Sequence, residues 1–504
     1  YDAILWHDGR TSDVVQALRT ELGGQDAVRD VVASGCLSGF FGSPGPEFLG
    51  GPKVREFEAA WASRFGAKHA ISVNSNTSGL FAAMGAIGLS PGDEVIVPPW
   101  TMSATVVSPL IYGGIPVFAD VEDDTFCIDP EKVKAQITPK TRAIVAVNLF
   151  GHPARLSELR AIADAHGIYL IEDNAQAPLG MENGRPTGTV GHIGIASLNF
   201  HKHIHTGEGG VCVTDDDDLA KRLQLIRNHA ENAAMHEGVT DLINMVGFNF
   251  RMTELSAAVG LVQLGDIERH VAVREKLAQR LSDGTRDLEG WTVPKVREGC
   301  RHNYYVWLVK YDEAQVGVSR ELFCKALNAE GFPNFPAYLP PLYRLPLFKS
   351  RTAIGREGWP FTLTDRTYED GQCPVTERLH EREAILFEPC AYDVDDALAD
   401  KMIAAIRKVH AHRADLNAVA ITPLPELLVR AGAPRAIALT VFVATLCRQP
   451  VIVGTIFDVF AHLNAVSIVC ARDQLAFVVG LRHRTVEFAV IVVVAFSTQA
   501  AVVV

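Results

Sequence analysis

Between residues 67 and 215, short β-branched runs alternate with amphipathic stretches, and this alternation constrains the fold more than any other feature of the sequence. The candidate strands are Ala70–Val73, Glu94–Val97, Ile115–Ala119, Ala143–Asn148, Tyr169–Glu172, Ile193–Leu198 and Gly210–Thr214. Helical patterns such as Gly79–Ile87 and Leu156–His166 lie between them, the second stopped by Gly167. Such alternation predicts an α/β fold, a mostly parallel central sheet flanked by helices. Ligands in sheets of this kind sit at the carboxyl ends of the strands, so the chemistry is expected there. From Thr253 to about Leu281 the pattern is helical and long enough to link two domains. Residues 290–414 then mix a short strand, Tyr304–Lys310, with helices at Ser319–Glu330 and Ala397–His412, the pattern of a smaller α+β domain. The expected division is a large domain over 1–268, a small one over 269–414 and a Val/Ala-rich extension over 415–504.

The extension differs in composition from the rest. Lys408 is the last lysine, and 417–504 holds six Arg against four Asp plus Glu. Its final apolar stretch, Phe488 to Val504, is 17 residues long, at the short edge of the ~17–25 that span a bilayer. Ser497, Thr498, Gln499 and the density of β-branched residues weigh toward a strand and against a membrane anchor. A shifted reading frame is the third reading, and the three stay open. Over the whole chain, 47 Lys plus Arg against 59 Asp plus Glu leave a net charge of −12, which argues against general nucleic-acid binding. The nine cysteines are odd in number, scattered and never CxxC, so neither a disulfide framework nor a cysteine zinc site is expected. The N-terminal residues show no basic region followed by an apolar core, and a cytoplasmic location is the expectation.

Four residues can carry chemistry. Lys202 follows an apolar strand and precedes a Gly-rich turn; a partly buried amine there loses its proton readily and becomes nucleophilic, although most lysines are simply solvated. Asp173 ends the apolar run from Gly167, 29 residues before Lys202, where a carboxylate can face a pyridine nitrogen or merely cap a helix. Thr77 and Ser78 stand between a strand and a helical pattern, suited equally to holding a phosphate and to N-capping. His201, His203 and His205 would share one face if extended, but their spacing and lack of further ligands suit packing or substrate contact better than a metal.

The run Glu172-Asp-Asn-Ala-Gln-Ala177, then Ser197-Leu-Asn-Phe-His-Lys202 and Thr206-Gly-Glu-Gly-Gly210, resembles the DegT/DnrJ family of sugar aminotransferases, fold-type I pyridoxal phosphate enzymes. Gly88-Leu-Ser-Pro-Gly-Asp-Glu-Val-Ile-Val-Pro98, Leu149-Phe-Gly-His-Pro153 and Gly247-Phe-Asn-Phe-Arg-Met-Thr-Glu254 follow in the family's order. The resemblance covers roughly residues 30–412. It implies that Lys202 is the Schiff-base lysine and Asp173 the pyridinium partner, both in a pyridoxal-phosphate-binding large domain. Gln176 falls beside the ring's 3-hydroxyl, and Thr77, Ser78 and Ser197 on phosphate ligands. Asn249 falls on the position reaching the phosphate of a neighbouring subunit, which implies a homodimer with shared sites. Where the family commonly stacks an aromatic ring on the cofactor, this chain has Met102, with Trp100 two places earlier. The implied reaction moves an amino group from glutamate or glutamine to a keto sugar or keto cyclitol. The competing readings are a dehydratase of the same family, in which a histidine replaces the lysine, and a non-catalytic ligand-binding protein on that fold.

Overall fold

A computed structural model describes residues 24–392 and 394–420, together with four strands of the C-terminal extension. The chain falls into two compact units, one ending at Ala411 and one beginning at His412. The first is built on a seven-stranded sheet of β1 (His69–Val73), β2 (Glu94–Val97), β3 (Ile115–Phe118), β4 (Thr141–Val147), β5 (Tyr169–Asp173), β8 (Ile193–Ser197) and β9 (Gly210–Thr214). The short hairpin strands β6 (Met181–Glu182) and β7 (Arg185–Pro186) separate β5 from β8. The order is β1-β9-β8-β5-β4-β2-β3, and six strands run parallel, with β9 alone reversed between β1 and β8. Every expected strand of this sheet is present within a residue or two at its ends.

The strands read as continuous apolar runs because both faces are covered. Along β2, Val95 and Val97 join one apolar cluster while Ile96 joins the other. β4 repeats this, with Ala143 and Val145 on one side and Ile144 and Ala146 on the opposite side. The first face carries α3 (Asn76–Ala86) and α5 (Asp217–Arg227); the second carries α4 (Leu156–His166), which ends at Gly167 in the left-handed conformation. Two earlier helices are α1 (Gly24–Ser34) and α2 (Pro52–Phe65).

The long helix α6 (Glu254–Thr285) has 32 residues, or about 48 Å at 1.5 Å per residue. Its N-cap is Thr253, which accepts from the Ser256 N–H. Beyond it come β10 (Trp291–Thr292), β11 (Cys300–Arg301), β12 (Trp307–Tyr311), α7 (Arg320–Ala329), β13 (Ala384–Phe387) and α8 (Asp396–Ala411). β10, β12 and β13 form an antiparallel sheet, and the Trp307 indole donates to Ser282 Oγ of α6 at 2.9 Å. β12 starts three residues later than the sequence predicts. Residues 303–306 bond instead to the loop after β4, with Asn303 N donating to Gly151 O and Val306 N to Phe150 O.

The second unit contains the helix Arg413–Ala420 and a four-stranded sheet. Its strands are β14 (Leu439–Thr440), β15 (Val466–Ala471), β16 (Gln474–His483) and β17 (Val486–Ala495), in the order β14-β17-β16-β15. The stretch read as strand or anchor is thus extended up to Ala495, and residues 496–504 lie outside the described residues. Among the described residues no helix is long and apolar enough to cross a membrane.

Glu172 shows how the sheet fixes its own loops. Its fully buried carboxylate accepts from the backbone N–H groups of Gly188, Val190 and Gly191 at 2.6–2.7 Å, and from Asn148 Nδ2 at 3.1 Å. Glu172→Ala would strand these donors, each costing about 1–3 kcal/mol when buried and unpaired. We expect a loss of at least about 3 kcal/mol, read as a lowered midpoint in urea unfolding.

Candidate active site

Five of the parallel strands, β1, β2, β4, β5 and β8, lead at their carboxyl ends into one cavity of about 220 Å³. Lys202, Asp173, Gln176, Ser197, Thr77 and Met102 all line it. Ser78 and Asn249 do not.

Asp173 is the last residue of β5, and the alternation that sends Glu172 to one face of the sheet sends Asp173 to the other. Its Oδ2 accepts from Thr105 Oγ1 at 2.7 Å, and its Oδ1 accepts from Ala175 N at 3.2 Å and Asn76 Nδ2 at 3.4 Å. Burial pushes its pKa up; the hydrogen bond from Thr105, the other donors and the charge of Lys202 oppose this without cancelling it. A buried acid held this way favours a cation placed against it.

Lys202 sits in the turn between β8 and β9. Nζ donates to the Tyr305 hydroxyl at 3.2 Å and lies 4.3 Å from the centre of the Tyr305 ring. Burial lowers its pKa to about 8, with the Asp173 charge acting in the opposite sense. At a pKa of about 8 the amine is still mostly protonated near pH 7, but the neutral fraction, the state in which nitrogen is a nucleophile, is far larger than for an ordinary lysine.

The turn over 200–204 is not extended, so the three histidines do not form a row. His201 faces the cavity, whereas His203 is buried with Nδ1 2.8 Å from Cys390 Sγ. This separates Lys202 from its neighbours: the amine, not the His203 imidazole, occupies the position opposite Asp173. Burial also pushes His203 well below its usual pKa and raises that of the Cys390 thiol.

The N-terminus of α3 forms another wall. Ser75 is the N-cap and accepts from Ser78 N at 3.0 Å, while Ser75, Asn76 and Thr77 border the cavity. Ser78 lies behind this turn, its hydroxyl donating to Asn74 Oδ1 at 2.6 Å. Gly210 permits the arrangement, since a Cβ there would stand 2.7 Å from Asn76 N. Ser197 Oγ completes this side and accepts from Asn199 N at 3.3 Å. Hydroxyls beside a helix N-terminus are a donor set for a phosphate. Gln176 accepts from Phe150 N at 2.6 Å through Oε1, which leaves Nε2, 3.5 Å from the Tyr338 hydroxyl, to donate to an oxygen of a bound group.

Met102 is half exposed at the cavity wall. Trp100 cannot take its place. It is fully buried, donates to Leu339 O at 2.9 Å and meets Phe126, Phe150 and Tyr338 edge-on. Asn249 is exposed, accepting from Arg251 Nε at 2.7 Å through Oδ1 and from Asn74 Nδ2 at 3.3 Å through its carbonyl. It does not cap α6; Thr253 does.

Sequence reasoning missed Asn76, Thr105, Tyr305 and Tyr338. Asn76 directly precedes Thr77 between the strand and the helical pattern and could have been weighed; Thr105 carries no signal. Tyr305 arrives through Gly151 (φ 98°), where a Cβ would meet Asn303 Oδ1 at 1.9 Å. Only a glycine there lets residues 303–306 close over the cavity.

This constellation coincides with a match of the DegT/DnrJ/EryC1/StrS aminotransferase family over residues 44–407. The chain belongs to that family. It is 34% identical over 406 residues to an L-glutamine:2-deoxy-scyllo-inosose aminotransferase of Streptomyces kanamyceticus, covering 78% of this chain and 93% of the relative. A GDP-perosamine synthase of Caulobacter vibrioides is 37% identical over 292 residues, 57% of this chain and 76% of the relative. The solved aminotransferase from Psychrobacter cryohalolentis superposes with a TM-score of 0.66 at 30% identity, covering 77% of this chain and 96% of that one. The DegT/DnrJ chain is thus a pyridoxal-phosphate-dependent aminotransferase on the fold-type I architecture, and the family match ends before the C-terminal extension.

The depressed pKa of Lys202 is open to measurement. In the cofactor-free protein, reaction of Lys202 with an amine-selective reagent should rise with pH through a midpoint of about 8 as the neutral amine forms. A midpoint near that of an ordinary lysine would show that the cavity does not desolvate the amine.

Proposed function

We propose that this DegT/DnrJ enzyme transfers an amino group from glutamate or glutamine to the ketone of a sugar or cyclitol, with Lys202 and Asp173 as its catalytic residues. The observation that carries the reading is an amine of lowered pKa and a buried carboxylate facing one cavity at the strand ends. The names of the inosose aminotransferase and perosamine synthase relatives support the substrate class and a role in amino-sugar biosynthesis. Family members with dehydratase chemistry can have a histidine where Lys202 stands, so Lys202 argues against that reading, and the presence of both Lys202 and Asp173 argues against a non-catalytic protein.

The residues present fit pyridoxal 5′-phosphate. Lys202 would hold its aldehyde, and Asp173, buried among neutral donors, would face the ring nitrogen as a cation. Gln176 Nε2 would donate to the ring oxygen, Met102 would lie against the ring face, and Thr77 and Ser197 would take the phosphate. Ser78 would act on the phosphate by bracing the Ser75 turn, and Asn249 would reach the phosphate of a second subunit in a homodimer. The bound cofactor supplies a covalent carrier for nitrogen and an electron sink.

The protein's own work is proton transfer. Once displaced by the donor amine, Lys202 Nζ takes the proton from the donor's α-carbon as a general base. In the second half-reaction it returns a proton to the former carbonyl carbon of the acceptor. Tyr305 keeps Nζ within the cavity between these steps, and Thr105 and Asn76 hold Asp173 in one orientation. A cytoplasmic location belongs to this proposal.

Asp173→Asn keeps the shape and removes the charge. We expect cofactor still bound and turnover reduced by at least about 10²-fold, the lower end of acid–base contributions; wild-type turnover would assign the role elsewhere. The shared site is tested by mixing subunits. Asn249→Ala should weaken cofactor binding by about 1–3 kcal/mol, the scale of a hydrogen bond to a charged group, and Lys202→Ala should be inactive. Mixed dimers of the two place both lesions at one site and none at the other, so activity should return. Verified heterodimers without recovery would confine Asn249 to its own subunit.

A further inference from the structure

We infer that His203 and Cys390 are positioning residues for the Lys202 amine: through Asn303 and the edge of the imidazole ring they hold Tyr305 against Nζ. This rests on the aminotransferase reading above for the duty of Lys202, and adds the parts that keep that amine in place.

Tyr305 meets Nζ in two ways, accepting its hydrogen bond at 3.2 Å and presenting its ring centre at 4.3 Å. The ring is itself held by the two neighbours of Lys202 in the chain. His201 packs on it at 6.3 Å between ring centres, tilted by 42°, and His203 meets it edge-on at 6.2 Å and 88°. The histidines on either side of Lys202 thus serve one aromatic ring.

His203 is anchored from behind. It is buried, and its Nδ1 lies 2.8 Å from the buried Cys390 Sγ. Burial and the Arg274 cation of α6 keep the imidazole neutral, and burial keeps the Cys390 hydrogen on sulfur against the pull of the same Arg274. The other titratable groups facing the pair are His270 of α6, Lys202 itself and Glu388. A neutral imidazole has one donor and one acceptor. The ring gives its hydrogen to the Asn303 side chain, so Nδ1 accepts from the thiol. Asn303, also buried, accepts from Tyr305 N at 3.2 Å through Oδ1 and donates to Pro178 O at 2.8 Å through Nδ2. Thiol, imidazole, amide and the Tyr305 backbone are therefore joined in series.

This arrangement bears on the amine because burial is the largest cause of its lowered pKa. Loosening Tyr305 admits water to Nζ; water replaces the hydroxyl as acceptor, burial is relieved and the pKa rises. Direct electrostatics gives a different sign. His203 is neutral and exerts no net charge on Lys202, while any charge on Cys390 raises the Lys202 pKa, so losing it would lower that pKa. A rise on removing either residue is the mark of positioning.

The test follows the reactivity of Lys202 toward an amine-selective reagent in the full-length, cofactor-free protein, where the expected midpoint is about 8. His203→Ala should raise it by at least about one pH unit. Tyr305→Ala should do the same, and the double variant should rise no further than Tyr305→Ala. Additive rises, or no rise in folded His203→Ala, overturn the inference. Cys390→Ser keeps a donor for Nδ1 and should hold the wild-type midpoint, whereas Cys390→Ala should raise it; a fall, or equal midpoints in the two, overturns the part given to Cys390. If His203→Ala does not fold, the Cys390 pair alone decides. In the holoenzyme, His203→Ala should lower kcat at least about tenfold and leave the donor's KM within about twofold; wild-type kcat overturns the link to catalysis. A wild-type holoenzyme whose absorbance responds to neither L-glutamine nor L-glutamate defeats the aminotransferase reading instead, and leaves the midpoints standing.

Discussion

The site depends on keeping a carboxylate and an amine out of water without letting them neutralise one another. Asp173 stays anchored because β5 ends there and neutral groups, Thr105, Asn76 and the Ala175 amide, hold both its oxygens. Lys202 is held from the other side by the hydroxyl and ring face of Tyr305. Desolvation raises one pKa and lowers the other, and their mutual attraction offsets only part of each shift. A direct salt bridge would hold both in their charged forms and deprive the amine of its nucleophilic state. The cavity between them leaves room for a group that needs an acid on one side and a nucleophile on the other.

That separation is a property of the fold. The parallel strands β5 and β8 bring Asp173 and Ser197 to one edge, and the reversed β9 lets the Lys202 turn double back across that edge before the chain re-enters the sheet. Glu172, one residue earlier, faces away and pins the 188–191 loop, so adjacent acidic residues have opposite duties. The part after α6 then closes over the cavity through the contact of Gly151 with Asn303, delivering Tyr305. Tyr338 reaches the same cavity from farther along the chain. The structure therefore ties a one-residue backbone requirement to the protonation state of the lysine.

Much of this was legible in the sequence. The strands of the main sheet are short apolar runs whose period and boundaries depend on local pattern, and a strand buried on both faces leaves few alternatives. Lys202, Asp173 and Thr77 could be named because each sits at a strand end or turn, where sequence position and cavity position coincide; Gln176 and Ser197 were named through the family resemblance. Ser78 shows the limit. Phosphate ligand and cap partner were equal readings on spacing, and the structure gives its hydroxyl to Asn74, behind the cap. The late start of β12 has the same origin, since the backbone of residues 303–306 is satisfied by a loop that lies about 150 positions earlier.

The sequence by itself determined the class of fold, the edge of the sheet where chemistry occurs and the family to which the chain belongs, because these follow from periodicity and from residues close together along the chain. Only the tertiary structure decided that Lys202 rather than His203 faces Asp173, that Trp100 is spent in the core and leaves Met102 at the cavity, and that Thr105, Tyr305 and Tyr338 belong to the site. These are contacts between residues as far as 239 positions apart, as Trp100 and Leu339 are. Their energies come from burial and from the direction of individual side chains, and neither quantity exists until the chain has folded.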